Sequence, residues 1–93
     1  MDIAIDRRML QTATEALRPL LDIKALDYLI DNPATMRAVI AMRMNGKLEL
    51  RLGVVKHLVS IGVFSLDKDG FYLSEVVEDV IDKLLAEWKQ NER

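Results

Sequence analysis

Residues 62–74 read GVFSLDKDGFYLS, and this stretch limits the possible folds more than any other. VFSL and FYL are short β-branched and aromatic runs, and DKDG between them has turn chemistry. Aspartates bond back to nearby amides, and glycine accepts positive φ. Phe64 and Leu66 fall on one face of the first run. The same residues raise the question of a calcium loop, which needs oxygen ligands at positions 1, 3, 5, 7, 9 and 12 around a glycine at 6. With Gly70 at position 6, Ser65 takes position 1 and Val76 takes position 12, where a bidentate glutamate is required. The loop also lacks an entering helix, because Gly62 stops the preceding one. A hairpin over about 63–73 accounts for every residue, and a metal site does not.

Helical patterns surround the hairpin. Ile3, Leu10, Ala13, Leu17 and Leu21 recur at helical spacing, which predicts a first helix over about 3–18 with Asp2 or Asp6 at its positive end. A short second helix follows over about 22–31, with Leu26, Leu29 and Ile30 on one side. Asn32-Pro33 punctuates the chain, asparagine as N-cap and proline at N1. A third helix covers about 33–44, with Met36, Val39 and Ile40 inward, and Asn45-Gly46 ends it. KLEL, residues 47–50, reads as a short extended piece. A fourth helix spans about 51–61. On a helical wheel Leu52, Val54, Val55, Leu58, Val59 and Ile61 fill its apolar side, and Gly53, Lys56, His57 and Ser60 line the other. Ser74 then caps a last helix over about 75–90, whose first turn carries Glu75 and Glu78. The prediction is one domain, 1–93, mainly α with a small β-hairpin.

Composition removes several classes of function. The 93 residues include no cysteine and a single histidine, His57. Disulfides, thiolate metal centres and multi-histidine sites within one chain are thereby excluded. No catalytic residue set emerges. Ser60 and His57 share a helix face, but nothing in the sequence supplies a carboxylate to orient the histidine or an oxyanion hole. The methionines sit at helical spacing as flexible core filler, and no glycine loop is suited to phosphates. No cofactor, no metal and no enzymatic activity are expected. No apolar run reaches membrane-spanning length, and the acidic first residues do not suit a signal peptide, so the expectation is a soluble cytoplasmic protein without membrane partners.

The net charge of −2 conceals a pattern. Residues 1–35 carry six acids and four bases, and residues 58–93 carry eight acids and four bases. Between them, residues 36–57 carry five bases (Arg37, Arg43, Lys47, Arg51 and Lys56) against Glu49 alone.

LGVVKHLVSIGVFSLDKDGFYLSEVVEDV, from Leu52 onward, resembles the second half of a winged helix-turn-helix domain. In that superfamily a recognition helix ends in Leu-x-x-x-Gly, followed by a strand, a glycine-bearing wing, an aromatic-x-Leu strand and a Ser/Thr-capped helix. The corresponding residues are Leu58 with Gly62, Val63 to Leu66, Lys68 to Gly70, Tyr72 with its neighbour Leu73, and Ser74. The pattern is shared by MarR- and PadR-like regulators, by plasmid-partition DNA-binding proteins and by dimerisation domains of small-molecule methyltransferases. The resemblance covers about 22–89 and leaves the first helix as an addition. RMNGKLELRLG departs from it by lacking the usual Ser/Thr-rich approach to the recognition helix.

The resemblance implies sequence-specific binding of double-stranded DNA, as a small transcriptional regulator or partition-type protein, with the helix over 51–61 toward the major groove. Lys56 is the leading groove or phosphate contact, with His57 and Ser60 beside it; each also reads as ordinary surface. Gly53 either lets the backbone approach DNA or is a small residue at a crowded contact. Arg51 belongs to the start of that helix. Arg43 and Lys47 are candidate backbone clamps, as is Arg37, and Lys68 stands at the wing tip. Homodimerisation is expected through the terminal helices, using Ile3, Met9, Leu10, Leu17, Leu84, Leu85 and Trp88; alternatively those helices pack against each other within one chain. The other class of function is a winged helix that contacts proteins as an adaptor, inhibitor or assembly subunit, with no nucleic acid.

Overall fold

The computed structural model describes residues 5–90. Five helices and one hairpin follow in order: α1 (Arg7–Leu17), α2 (Ile23–Asp31), α3 (Pro33–Asn45), α4 (Leu52–Ser60), β1 (Phe64–Asp67), β2 (Gly70–Leu73) and α5 (Glu75–Gln90). The architecture is mainly α with one two-stranded antiparallel sheet. Among the described residues, no helix is long and apolar enough to cross a membrane.

Local chemistry accounts for the boundaries. α1 begins later than its apolar spacing predicts, because Asp6 is extended and its carboxylate accepts the Met9 amide at 2.9 Å. That N-cap places Ile5 before the helix; Ile3 lies outside the described residues. Asp22 caps α2 in the same way, through the Ala25 amide at 3.0 Å. Asn32 joins α2 to α3, but its side chain is not the expected cap. Its amide donates to the Tyr28 carbonyl at 2.9 Å, while its backbone oxygen accepts the first amides of α3. KLEL forms no strand; Leu48 and Leu50 instead rest half-buried against the core.

The end of α4 aims the chain into the hairpin. Val63 donates back to the Leu58 carbonyl at 2.9 Å and Gly62 to that of Val59 at 3.2 Å. These two bonds make a Schellman motif. Its left-handed position is Gly62, φ 85°, and Leu58 and Val63 are both fully buried beside it. The strands pair Phe64 with Leu73 and Asp67 with Gly70, leaving Lys68 and Asp69 as the turn. The Asp67 carboxylate accepts the Asp69 amide at 2.8 Å, and Gly70 takes φ 123°. The base of the hairpin is held by the Ser74 amide on the Val63 carbonyl at 3.0 Å. The Ser74 hydroxyl donates to the Gly62 carbonyl at 2.8 Å, so its proton ties α5 to the end of α4.

One core runs through all of these elements. α1 packs on α5, α2 and α3, α3 packs on α2 and α5, and α4 lies against β1. Leu17, Met36, Ile40, Leu58, Phe64 and Ile81 are among its fully buried side chains. Leu10, Leu17, Leu84 and Leu85 are buried within this single chain. Their burial agrees with the alternative that α1 and α5 pack against each other within one chain. Met9 and Trp88 are half-buried, and Trp88 packs against the core.

Truncating Leu17 or Ile81 to alanine is expected to cost about 2–5 kcal/mol, from lost burial plus a residual cavity. Gly62→Ala is expected to cost about 1 kcal/mol, because a Cβ there meets open space but the backbone is left-handed. Urea unfolding followed by far-UV circular dichroism measures both. A loss under 1 kcal/mol for Leu17→Ala contradicts the core described here.

Candidate nucleic-acid interface

The amino end of α4 has no side-chain cap, a condition it shares with α3 but not with α1 or α2. Arg51 is its N-cap, extended at φ −68° and ψ 147°, and offers no side-chain hydrogen bond. The first turn carries no acid. By contrast α1 and α2 have aspartate caps, and α5 opens on Glu75 and Glu78. The Arg51 carbonyl accepts the amides of Val54 and Val55. The amides of Leu52 and Gly53 have no hydrogen-bond acceptor among the described residues. A helix amino end in this condition carries partial positive charge and unmet donors, the combination that favours an anion.

Gly53, Lys56, His57 and Ser60 are exposed along α4, as the wheel predicts, and Arg51 and Leu52 are exposed at its start. A Cβ at Gly53 would meet nothing within 4 Å, so the crowded-contact explanation for this glycine is discarded. Its bareness leaves the backbone open to a ligand. Ser60 has a local role, its hydroxyl donating to the His57 carbonyl at 2.6 Å. His57 is exposed but not free: its ring lies 4.6 Å from that of Tyr28 on α2, tilted by 57°. Lys47 follows the turn after α3, where its amide bonds to the Asn45 side chain at 2.9 Å. Lys68 is exposed at the hairpin tip between Asp67 and Asp69, which offset its charge.

Arg43 stands apart. Its guanidinium grips Asp82 of α5 with two hydrogen bonds, Nε to Oδ1 at 2.9 Å and Nη2 to Oδ2 at 2.7 Å, and Nη1 lies 3.7 Å from Glu78. The hydrogen bonds to Asp82 raise its pKa above the ordinary arginine value; burial opposes them, and the charges of Asp82 and then Glu78 add to them. This fork joins α3 to α5 and neutralises the charge that was expected to clamp a nucleic-acid backbone. Arg37 lines a groove shared with α1. Lys47, Arg51 and Lys56 are what remains of the basic segment around α4.

The apolar side predicted for α4 is not wholly covered. Leu52, placed on the buried side by the wheel, is 57% exposed, as is Leu66. Phe71 opposes Leu66 across the hairpin, and Tyr72 follows it; both are exposed. Strand alternation puts Leu66 and Phe71 on the same face as buried Phe64 and Leu73, but the hairpin outruns the core. Only its base is covered.

Among the described residues no three His, Cys, Asp or Glu side chains gather as metal ligands do. Comparison with protein-family models, with curated proteins and with solved structures finds no match for this chain.

Arg43→Ala is expected to lower stability by about 1 kcal/mol, a value held down by partial solvent exposure. In a double-mutant cycle with Asp82→Ala, measured by chemical denaturation, most of that loss is shared between the two sites. Additive effects rule out the fork as a connection between α3 and α5.

Proposed function

We propose that this chain is a winged helix-turn-helix protein with an added N-terminal helix, and that it binds double-stranded DNA through the amino end of α4. The uncapped, acid-free start of that helix carries the proposal, with Arg51 at the cap, Gly53 bare and Lys56 on the exposed face. In this reading α3 and α4 form the helix-turn-helix pair and the hairpin is the wing. Phosphate oxygens are met by the Leu52 and Gly53 amides, Arg51 and Lys47, while Lys56 reaches the groove. His57 supports the helix through Tyr28 rather than reading a base, and Lys68 contributes little between its two aspartates. Pairing of two copies on a palindromic site belongs to the proposal as a regulator or partition-type protein. It would use surfaces other than the four leucines buried in each chain.

The exposed Leu52, Leu66, Phe71 and Tyr72 favour a second reading. Apolar side chains of this size suit a protein surface better than a phosphate backbone, so an adaptor or assembly module that takes a partner at the hairpin is the alternative.

A gel-shift or anisotropy titration on mixed duplex DNA across a salt series distinguishes the two. Two phosphate-contacting bases per chain, Arg51 and Lys47, predict a log–log salt slope of about −2 for one chain, and about twice that for a pair. Arg51→Glu with Lys56→Glu abolishes binding. Binding no tighter than micromolar at low salt, or binding indifferent to that double substitution, eliminates the DNA reading. Leu66→Ser with Phe71→Ser leaves DNA affinity within about two-fold under the first reading and removes partner capture under the second.

A further inference from the structure

A groove of about 660 Å³ lies between α1 and the corner where α2 turns into α3. Its size falls within the range of small-molecule sites, about 300–1,000 Å³. The two walls differ in chemistry. α1 and its C-cap contribute Arg7, Gln11, Thr14, Glu15 and Arg18, polar residues along one helix face, with Leu10 at the floor. Arg7 and Arg18 are eleven residues apart, about 16 Å along a helix axis. The opposite wall is apolar except for Arg37, and its exposed members are Ile30, Pro33 and Ala34. Ile30 is 47% exposed, which is unusual for an isoleucine beside a core.

Several of the polar groups are already engaged. The Thr14 hydroxyl donates to the Leu10 carbonyl at 2.8 Å, and Glu15 pairs with Arg18 at 3.1 Å. Arg7 and Arg37 have no carboxylate within 4 Å among the described residues. The groove therefore carries two guanidinium groups without a carboxylate among the described residues, Arg7 on the polar wall and Arg37 beside the apolar strip, in an otherwise acidic chain. Its floor is apolar and buried: Leu10, Leu29 and Met36 are each no more than 8% exposed. An alkyl chain can lie along the exposed Ile30, Pro33 and Ala34.

We infer that this groove binds an amphipathic carboxylate, a fatty-acid-like small molecule. Its chain lies on the Ile30–Pro33–Ala34 wall, and its head is held by the guanidinium forks of Arg37 and Arg7. The inference is independent of DNA binding, since it uses none of the α4 residues.

Calorimetric titration of the full chain with dodecanoate, below its micelle concentration, tests it. One saturable site is expected. Dodecanol, which has the chain without the charge, and octanoate, which has the charge on a shorter chain, each bind at least about ten-fold more weakly. Arg7→Gln with Arg37→Gln weakens dodecanoate at least about ten-fold with an unchanged unfolding midpoint, and Ile30→Ser weakens it as well. If the double variant is itself unstable, amide shift mapping of the unaltered chain replaces it. Dodecanoate must then perturb residues 7–18 and 29–37 rather than the hairpin tip. The inference is overturned by dodecanoate and dodecanol binding within two-fold of each other, by no saturable site, or by shifts that centre on Leu66 and Phe71. It is overturned equally if self-association or an acidic peptide depends on Arg7 and Arg37 while dodecanoate does not bind.

Discussion

Leu17 near the end of the first helix and Ile81 in the middle of the last are both fully buried, on helices that pack against each other. That packing brings together segments more than sixty residues apart in sequence, and α2 and α3 are placed against it. A chain of this length buries a modest core, so a few large side chains hold much of its stability. Each fully buried leucine or isoleucine contributes about 1.5–3 kcal/mol by removal from water. α3 lies against both helices, and the Arg43 fork to Asp82 sets its angle on α5 with a directional contact that apolar packing does not provide. α2 follows from α3, because Asn32 leaves a single residue between them.

α4 and the hairpin are attached by a different device. α4 packs on β1, and three backbone carbonyls at the junction, those of Leu58, Gly62 and Val63, are met by Val63, by the Ser74 hydroxyl and by the Ser74 amide. The junction thus satisfies its own polar groups while Leu58, Val63, Phe64 and Leu73 continue the core beneath it. The hairpin tip receives no such support. Leu66 and Phe71 project past the last buried pair, which leaves an apolar surface at the hairpin tip.

The elements were legible in the sequence because their signals are local. Proline at 33, glycines at 46, 62 and 70, and turn aspartates act within four or five residues, and the helices and hairpin lie within a few residues of where those signals put them. What could not be read was what each face meets. The stripes on α1 and α5 announce that Leu10, Leu17, Leu84 and Leu85 are buried, but spacing is the same whether the partner is another helix of the chain or another copy. The wheel for α4 assumes one buried side, so it turned Leu52 inward at a helix start where no neighbour covers it, and it left His57 free although Tyr28 of α2 reaches it. Arg43 is the clearest case. Its partner is 39 residues away, and no local pattern connects them.

That lesson bears most on charge. A stretch of five bases against one acid looks like a single patch when written as a line. In three dimensions it is divided: Arg43 is neutralised by α5, Arg37 faces the α1 groove, and Lys47, Arg51 and Lys56 belong to the loop and helix that follow α3. α2 lies between these regions. Its consecutive residues Tyr28, Leu29 and Ile30 respectively meet His57 of α4, line the floor of the groove and form its apolar wall. Successive helical residues point about 100° apart, so a nine-residue helix can support α4 on one side and build a pocket on the other. The charge that looked sufficient for one extended nucleic-acid surface is thus apportioned among a structural clamp, a groove and a short helix end. Any phosphate binding by this chain depends on the bare amides of that helix end as much as on its side chains.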